Sequence, residues 1–206
     1  ALADNLAISS DSDLEKEFAK LLKDYKEDSS LELLESSFME CYFKNVGEYL
    51  IGRNGNAHIV LDYLSFKTDS LNILLVLQKI AFPDIVSNFI QGGRLRREFL
   101  KDLMSLKSIE DALKMFVDSS FPWLAYEGLD LYRHTQRLSS LERLLKNKLF
   151  YFCQEFYTRG DPLSISIPLA FINFKENEVN NLRLINKAVF FQVPRDLVRE
   201  ELVFAG

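Results

Sequence analysis

The sequence predicts an all-α protein built from repeated helical units, and three observations predict it. Glycine and proline are scarce, 8 and 5 in 206 residues, whereas sheets and phosphate-binding loops consume them at their turns. Apolar residues recur every three or four positions over long stretches, the period of a helix with one buried face. The two-residue alternation of a half-buried strand is nearly missing; only Ser164 to Ile167 shows it, directly before Pro168. With 48% hydrophobic and 13% aromatic residues, the chain is too apolar to be disordered and long enough for one good core or two small ones.

In chain order, Ser12 with Glu15 three residues on reads as a capped helix start. Leu14, Phe18, Leu21, Leu22 and Tyr25 follow on one face, and Ser29-Ser30 punctuate. A second helix carries Leu31, Leu34, Phe38, Cys41, Tyr42, Val46 and Leu50 on one side and stops at Gly52-Arg53-Asn54-Gly55. A third runs from about Ala57 to Ala81, where Phe82-Pro83 breaks it. The pattern predicts a short helix from Pro83 to Ile90 that Gly92-Gly93 would cap. Phe99, Leu103 and Leu106 mark the next. Ser108 opens another with Ala112, Leu113 and Phe116 inward, and Phe121-Pro122-Trp123 opens one more. Leu141, Leu144, Leu145, Leu149, Phe152 and Phe156 form a stripe over Ser139 to Tyr157. Gly160-Asp161-Pro162 interrupts it. A long helix then spans Ile165 to Val189, and Pro194 leads a terminal one from Arg195 to Val203.

Composition narrows function mainly by exclusion. A net charge of −5 lacks the basic face of a general nucleic-acid binder. Cys41 and Cys153 cannot build a disulfide framework or a four-thiolate zinc site, so a reduced, cytosolic setting is expected. No run of about 18 uncharged apolar residues exists to span a bilayer. The first thirteen residues, acidic and polar, do not resemble a secretory leader. His58 and His134 stand far apart, one near a helix start and one at a helix end where a cation suits the dipole. There is no HExxH, CxxC, GxSxG or GxxxxGK[ST]. The expectation is therefore no catalytic residue, no cofactor and no metal. Two basic groups, Arg94, Arg96 and Arg97, and Arg133, Arg137, Arg143, Lys146 and Lys148, read as solvated helix faces or as contacts for acidic headgroups or an acidic partner.

Self-comparison is more informative. A shift of 109 positions lays Asp69-Ser-Leu-Asn72-Ile-Leu-Leu75 on Glu178-Val-Asn-Asn181-Leu-Arg-Leu184, and Phe82 on Phe191. An acid, an Asn three residues later and the aliphatic phases coincide, and each copy precedes a proline and a predicted short helix. Acid and Asn at this spacing share a helix face, where the amide can bridge to a neighbouring backbone or carboxylate.

At these residues the chain resembles a known family. Phe66-Lys-Thr-Asp69-Ser-Leu-Asn72 with Ile90-Gln-Gly92-Gly93-Arg94-Leu95 resembles the middle repeat of the C subunit of V/A-type ATP synthases, the counterpart of the d subunit of eukaryotic V-ATPases. Asp161-Pro-Leu-Ser-Ile165, Glu178-Val-Asn-Asn181-Leu-Arg183 and Pro194-Arg-Asp-Leu-Val-Arg-Glu-Glu201-Leu202 resemble its last repeat. The chain departs from the family pattern at Gln78, Ile80 and Asn180, and its first repeat is degenerate or absent, with residues 31 to 53 as a remnant. The resemblance implies a divergent, shortened relative with an N-terminal segment (1–54), a middle unit (55–135) and a C-terminal unit (136–206). It implies a non-catalytic subunit that couples the central rotor shaft to the membrane proteolipid ring in proton or sodium transport, on the cytoplasmic, inner face of the membrane. Asp69, Asn72, Glu178, Asn181 and Arg183 would be its structural repeat motif, and Arg94, Arg96 and Arg97 its partner or membrane contact. The alternative is a helical adaptor or regulator outside the rotor.

Overall fold

The computed structural model describes residues 9–25, 31–52, 55–85, 88–159, 161 and 163–204, and every regular element among them is helical. The chain divides into two compact units, 1–105 and 106–206. In the first, α1 (Ser9–Asp24) packs on α2 (Leu31–Leu50), α2 on α3 (Ala57–Ala81), and α3 on α4 (Arg97–Met104). Phe18 and Phe38 join α1 to α2 edge to face, with ring centroids 5.0 Å apart. Tyr63, Ile73, Val76 and Leu77 turn α3 inward, and Leu100 and Leu103 do so for α4, whose other positions are mostly charged.

In the second unit, α5 (Ile109–Lys114) buries Ile109, Ala112 and Leu113 and tightens into a 3₁₀ turn at Met115–Asp118. A helix entered at Pro122 widens into a π turn over Leu124–Gly128 and continues as α6 (Leu129–Thr135). Gly128 suits that turn, since a Cβ there would lie 3.1 Å from Leu124 Cδ2. The long helices α7 (Leu138–Arg159) and α8 (Ser166–Phe190) pack together, and α9 (Arg195–Glu201) touches both. Leu141, Leu144, Leu145, Phe150 and Cys153 form the buried stripe of α7.

Several elements differ from the sequence reading. Residues 83–85 and 88–90 are not helical. The predicted Pro83 to Ile90 helix is therefore not formed at these positions; side chains of α3 bind the carbonyls of Pro83, Ile85 and Ile90 instead, and Gly92-Gly93 follows non-helical residues. The first helix begins at Ser9, ahead of Ser12, whose side chain lies outside the described residues along with those of Leu14, Glu15 and Leu31. The predicted breaks at Ser29-Ser30, Arg53-Asn54, Gly160 and Pro162 also fall outside them. Leu22 and Tyr42 are exposed where an inward position was expected, and Phe43 is buried instead. Ser108 sits at the N-cap of α5 without a side-chain capping hydrogen bond. Ser164 and Ile165 form a turn into α8, with no strand.

Candidate functional site: two asparagine clamps

Asn72 is buried on α3, and its amide serves as both donor and acceptor. Nδ2–H donates to the Ile90 carbonyl at 2.8 Å, and the Ile90 N–H donates to Oδ1 at 2.9 Å. One side chain thus satisfies both backbone groups of a residue that has no helix or sheet to join. Lys79, two turns later, donates through Nζ to the carbonyls of Pro83 and Ile85. Together they hold the segment that leaves α3.

The same segment then folds over Asp69, which is fully buried. Its two oxygens accept the N–H groups of Arg94, at 2.8 Å, and Leu95, at 3.1 Å. Gly93 makes this possible: a Cβ at that position would collide with Asp69 Oδ1. Gly92 has φ +103°, a conformation that other residues adopt only with strain. Burial pushes the Asp69 carboxyl above its ordinary range, against the pull of the two N–H groups and the Arg94 charge. The Arg94 guanidinium pairs with Asp62 at 2.7 Å, and Arg96 and Arg97 are exposed at the start of α4.

The second unit repeats the amide geometry. Asn181 Nδ2–H donates to the Val203 carbonyl at 2.7 Å, and the Val203 N–H donates to Asn181 Oδ1 at 3.2 Å. Asn177 adds a second donor to that carbonyl at 2.9 Å. Glu178, however, is exposed and pairs with Lys175 at 2.6 Å, and Arg183 is exposed on the same helix. The clamped end is held near the start of α7 by Arg137 with Glu200, 3.1 Å, and by the Ser139 hydroxyl donating to Glu201, 2.9 Å.

Asp69 and Asn72 therefore converge on one returning segment. Glu178 and Asn181 share a helix, but only Asn181 binds backbone. Gly93, Lys79 and Asn177 were not anticipated as working residues. The Gly92-Gly93 pair could have signalled a close approach rather than a helix cap. Most of the second basic group is committed internally: Arg133 to Glu110, Arg137 to Glu200, Lys146 to Glu142 and Lys148 to Glu127.

Other reactive groups are held in quiet surroundings. His58 Nδ1 lies 3.0 Å from the Gly55 carbonyl and His134 Nδ1 2.8 Å from that of Asp130. Among the described residues, no three metal-ligating side chains gather. The Cys41 thiol donates to Glu17 at 2.9 Å, and desolvation first, then that bond and the Glu17 charge, push it up to about 11.

The clamped side chains position backbone, and the fold around them is a helical scaffold. The sequence model of the family described as ATP synthase (C/AC39) subunit matches residues 2–201, and the chain belongs to that family. Similar proteins include the C subunit of the A-type ATP synthase of Thermococcus onnurineus, 27% identical over 83% of this chain and 46% of that protein. The C subunit of the A-type enzyme from Thermoplasma acidophilum is 27% identical over 89% and 52%, and that of the V-type ATP synthase of Thermus thermophilus is 27% identical over 86% and 51%. The chain spans about half the length of the curated relatives it matches.

Proposed function

We propose that the chain is a non-catalytic coupling or accessory subunit of a V/A-type ATPase, linking the central shaft to the proteolipid ring at the inner face of the membrane. The family match over residues 2–201 carries this reading. It is supported by polar side chains that hold backbone in place, which suits a part that transmits force. No helix among the described residues is long and apolar enough to cross a membrane, so attachment would run through partner subunits. The three segments 1–54, 55–135 and 136–206 belong to the same proposal, as do Asp69, Asn72, Glu178, Asn181 and Arg183 as its repeat motif. With Arg94 paired to Asp62, Arg96 and Arg97 are the members of that basic group offered to a partner or an anionic surface.

Affinity purification of the tagged chain from membranes containing the rotary complex tests the proposal. Co-purification of shaft and ring subunits is expected. A chain that never associates with the complex sinks it, and leaves the helical adaptor reading in its place.

A further inference from the structure

We propose that the cleft between α6 and the first half of α7 binds a free amino acid with an aliphatic side chain. Arg143 and Asn147 receive its carboxylate, and Asp130 receives its ammonium group.

Within the second basic group, four of the five members are held by acids of this chain: Arg133 by Glu110, Arg137 by Glu200, Lys146 by Glu142 and Lys148 by Glu127. Arg143 is the exception. Its Nε is buried and meets no acceptor among the described residues. A desolvated cationic N–H without an acceptor is costly, so it calls for one from outside the chain. Asn147 follows one turn later on the same face of α7, is half-buried, and has an amide that no described residue engages. Both side chains line a cleft of about 530 Å³, which lies in the range of small-molecule sites.

The other wall comes from the π turn at Leu124–Gly128 and from α6. Turns of that kind recur at functional sites. This one supplies Glu127, whose carboxylate already accepts Lys148 at 2.5 Å. From α6 comes Asp130, whose exposed carboxylate lies 3.5 Å from His134 Nδ1. That nitrogen is itself engaged with the Asp130 main-chain carbonyl at 2.8 Å. The cleft therefore holds one uncommitted cation, Arg143, and one acid with acceptor capacity to spare, Asp130.

This pattern selects among ligands. A guanidinium alone takes a carboxylate or a phosphate. Two acids in the same cleft repel a dianion, which disfavours phosphate, and Asp130 favours a positive group near the bound anion. A free amino acid carries both charges. Leu131 and Leu144, the apolar residues of the lining, favour an aliphatic side chain on it.

The probe is L-leucine, titrated into the isotope-labelled full chain and followed by NMR at the arginine Nε–H resonance that Arg143→Lys removes. A saturable shift is expected. Leucinamide, which lacks the carboxylate, should leave that resonance unmoved. N-acetyl-leucine, which lacks the ammonium group, should bind about fivefold more weakly, and Asp130→Asn should erase that difference. By calorimetry, Arg143→Lys should weaken leucine binding about tenfold, since a two-pronged contact becomes a single one. Asp130 is exposed, so unchanged helical circular dichroism is expected to show that its variant folds. No saturable shift with leucine, or equal binding of leucine and N-acetyl-leucine, overturns the proposal. Inorganic phosphate that binds as tightly as leucine would assign a general anion site and overturn it as well. The proposal stands apart from the rotor reading, because ligand binding and co-purification with the complex can each succeed or fail alone.

Discussion

At Asn72 the clamp is sealed, with the amide, the clamped Ile90 and the neighbouring Asp69 all buried. At Asn181 the same pair of hydrogen bonds forms on a half-exposed amide, Val203 is buried, and Glu178 three residues away stands in solvent. The difference teaches that the amide needs only the returning backbone, whereas the acid needs whatever comes after it. Asp69 is dry because residues 93–95 and α4 close over it; Glu178 is wet because nothing in the described part of its unit does so.

The largest expected effect is at Asn72. Asn72→Ala strands the Ile90 N–H and carbonyl in a buried site, and at about 1–3 kcal/mol for each orphaned group, diminished by relaxation, we expect a loss of about 3 kcal/mol in urea unfolding. A loss under about 1 kcal/mol would mean that water or a shifted backbone replaces the amide. Next comes Gly93→Ala, which forces a methyl group against Asp69 and should cost about 2 kcal/mol; a neutral result would show that residues 93–95 move freely over the acid. Asn181→Ala should cost about 1 kcal/mol, because the site is half-open and Asn177 still donates to the Val203 carbonyl. An effect equal to that of Asn72→Ala would erase the contrast between the units.

The acids sharpen the comparison through pH. The folded pKa of Asp69 is raised by burial, so the folded state holds that proton more tightly than the unfolded chain does. Its contribution to stability is complete below about pH 3.9, the ordinary aspartate value. It is lost as pH rises through the raised folded value. Urea unfolding of wild type and Asp69→Asn at stepwise pH should therefore show the difference moving in favour of the variant as pH increases; a constant difference would contradict it. The smallest effect is expected at Glu178→Gln, within about 0.5 kcal/mol at any pH, since an exposed pair with Lys175 contributes little.

Much of the fold was legible because apolar period and breakers agree. The ends of α3 at Ala57 and Ala81 follow from Gly55 and from Phe82-Pro83, and α7 and α8 follow from their stripes. Residues 83–85 and 88–90 were misread because their pattern is locally helical, while the groups that bind their backbone, Asn72 and Lys79, lie on another element. Tyr42 and Phe43 exchanged roles for a similar reason: adjacent aromatics leave the phase of α2 ambiguous until a neighbouring helix selects one. The self-comparison located both asparagines, but it could not foresee that one acid would be buried and the other left in water. That depends on the residues that close over the acid in the first unit, 93–95 and α4, which lie outside the matched stretch.

The spacing between each asparagine and the residue it holds is 18 positions in one unit and 22 in the other. The entropy of closing a loop grows only with the logarithm of its length, so four extra residues add about 0.2 kcal/mol. An anchor of this kind fixes its residue at nearly the same cost whether the stretch before it is somewhat longer or shorter. Insertions and deletions can accumulate in that stretch while the anchored end keeps its place, so sequence drift there reshapes the surface without loosening the frame.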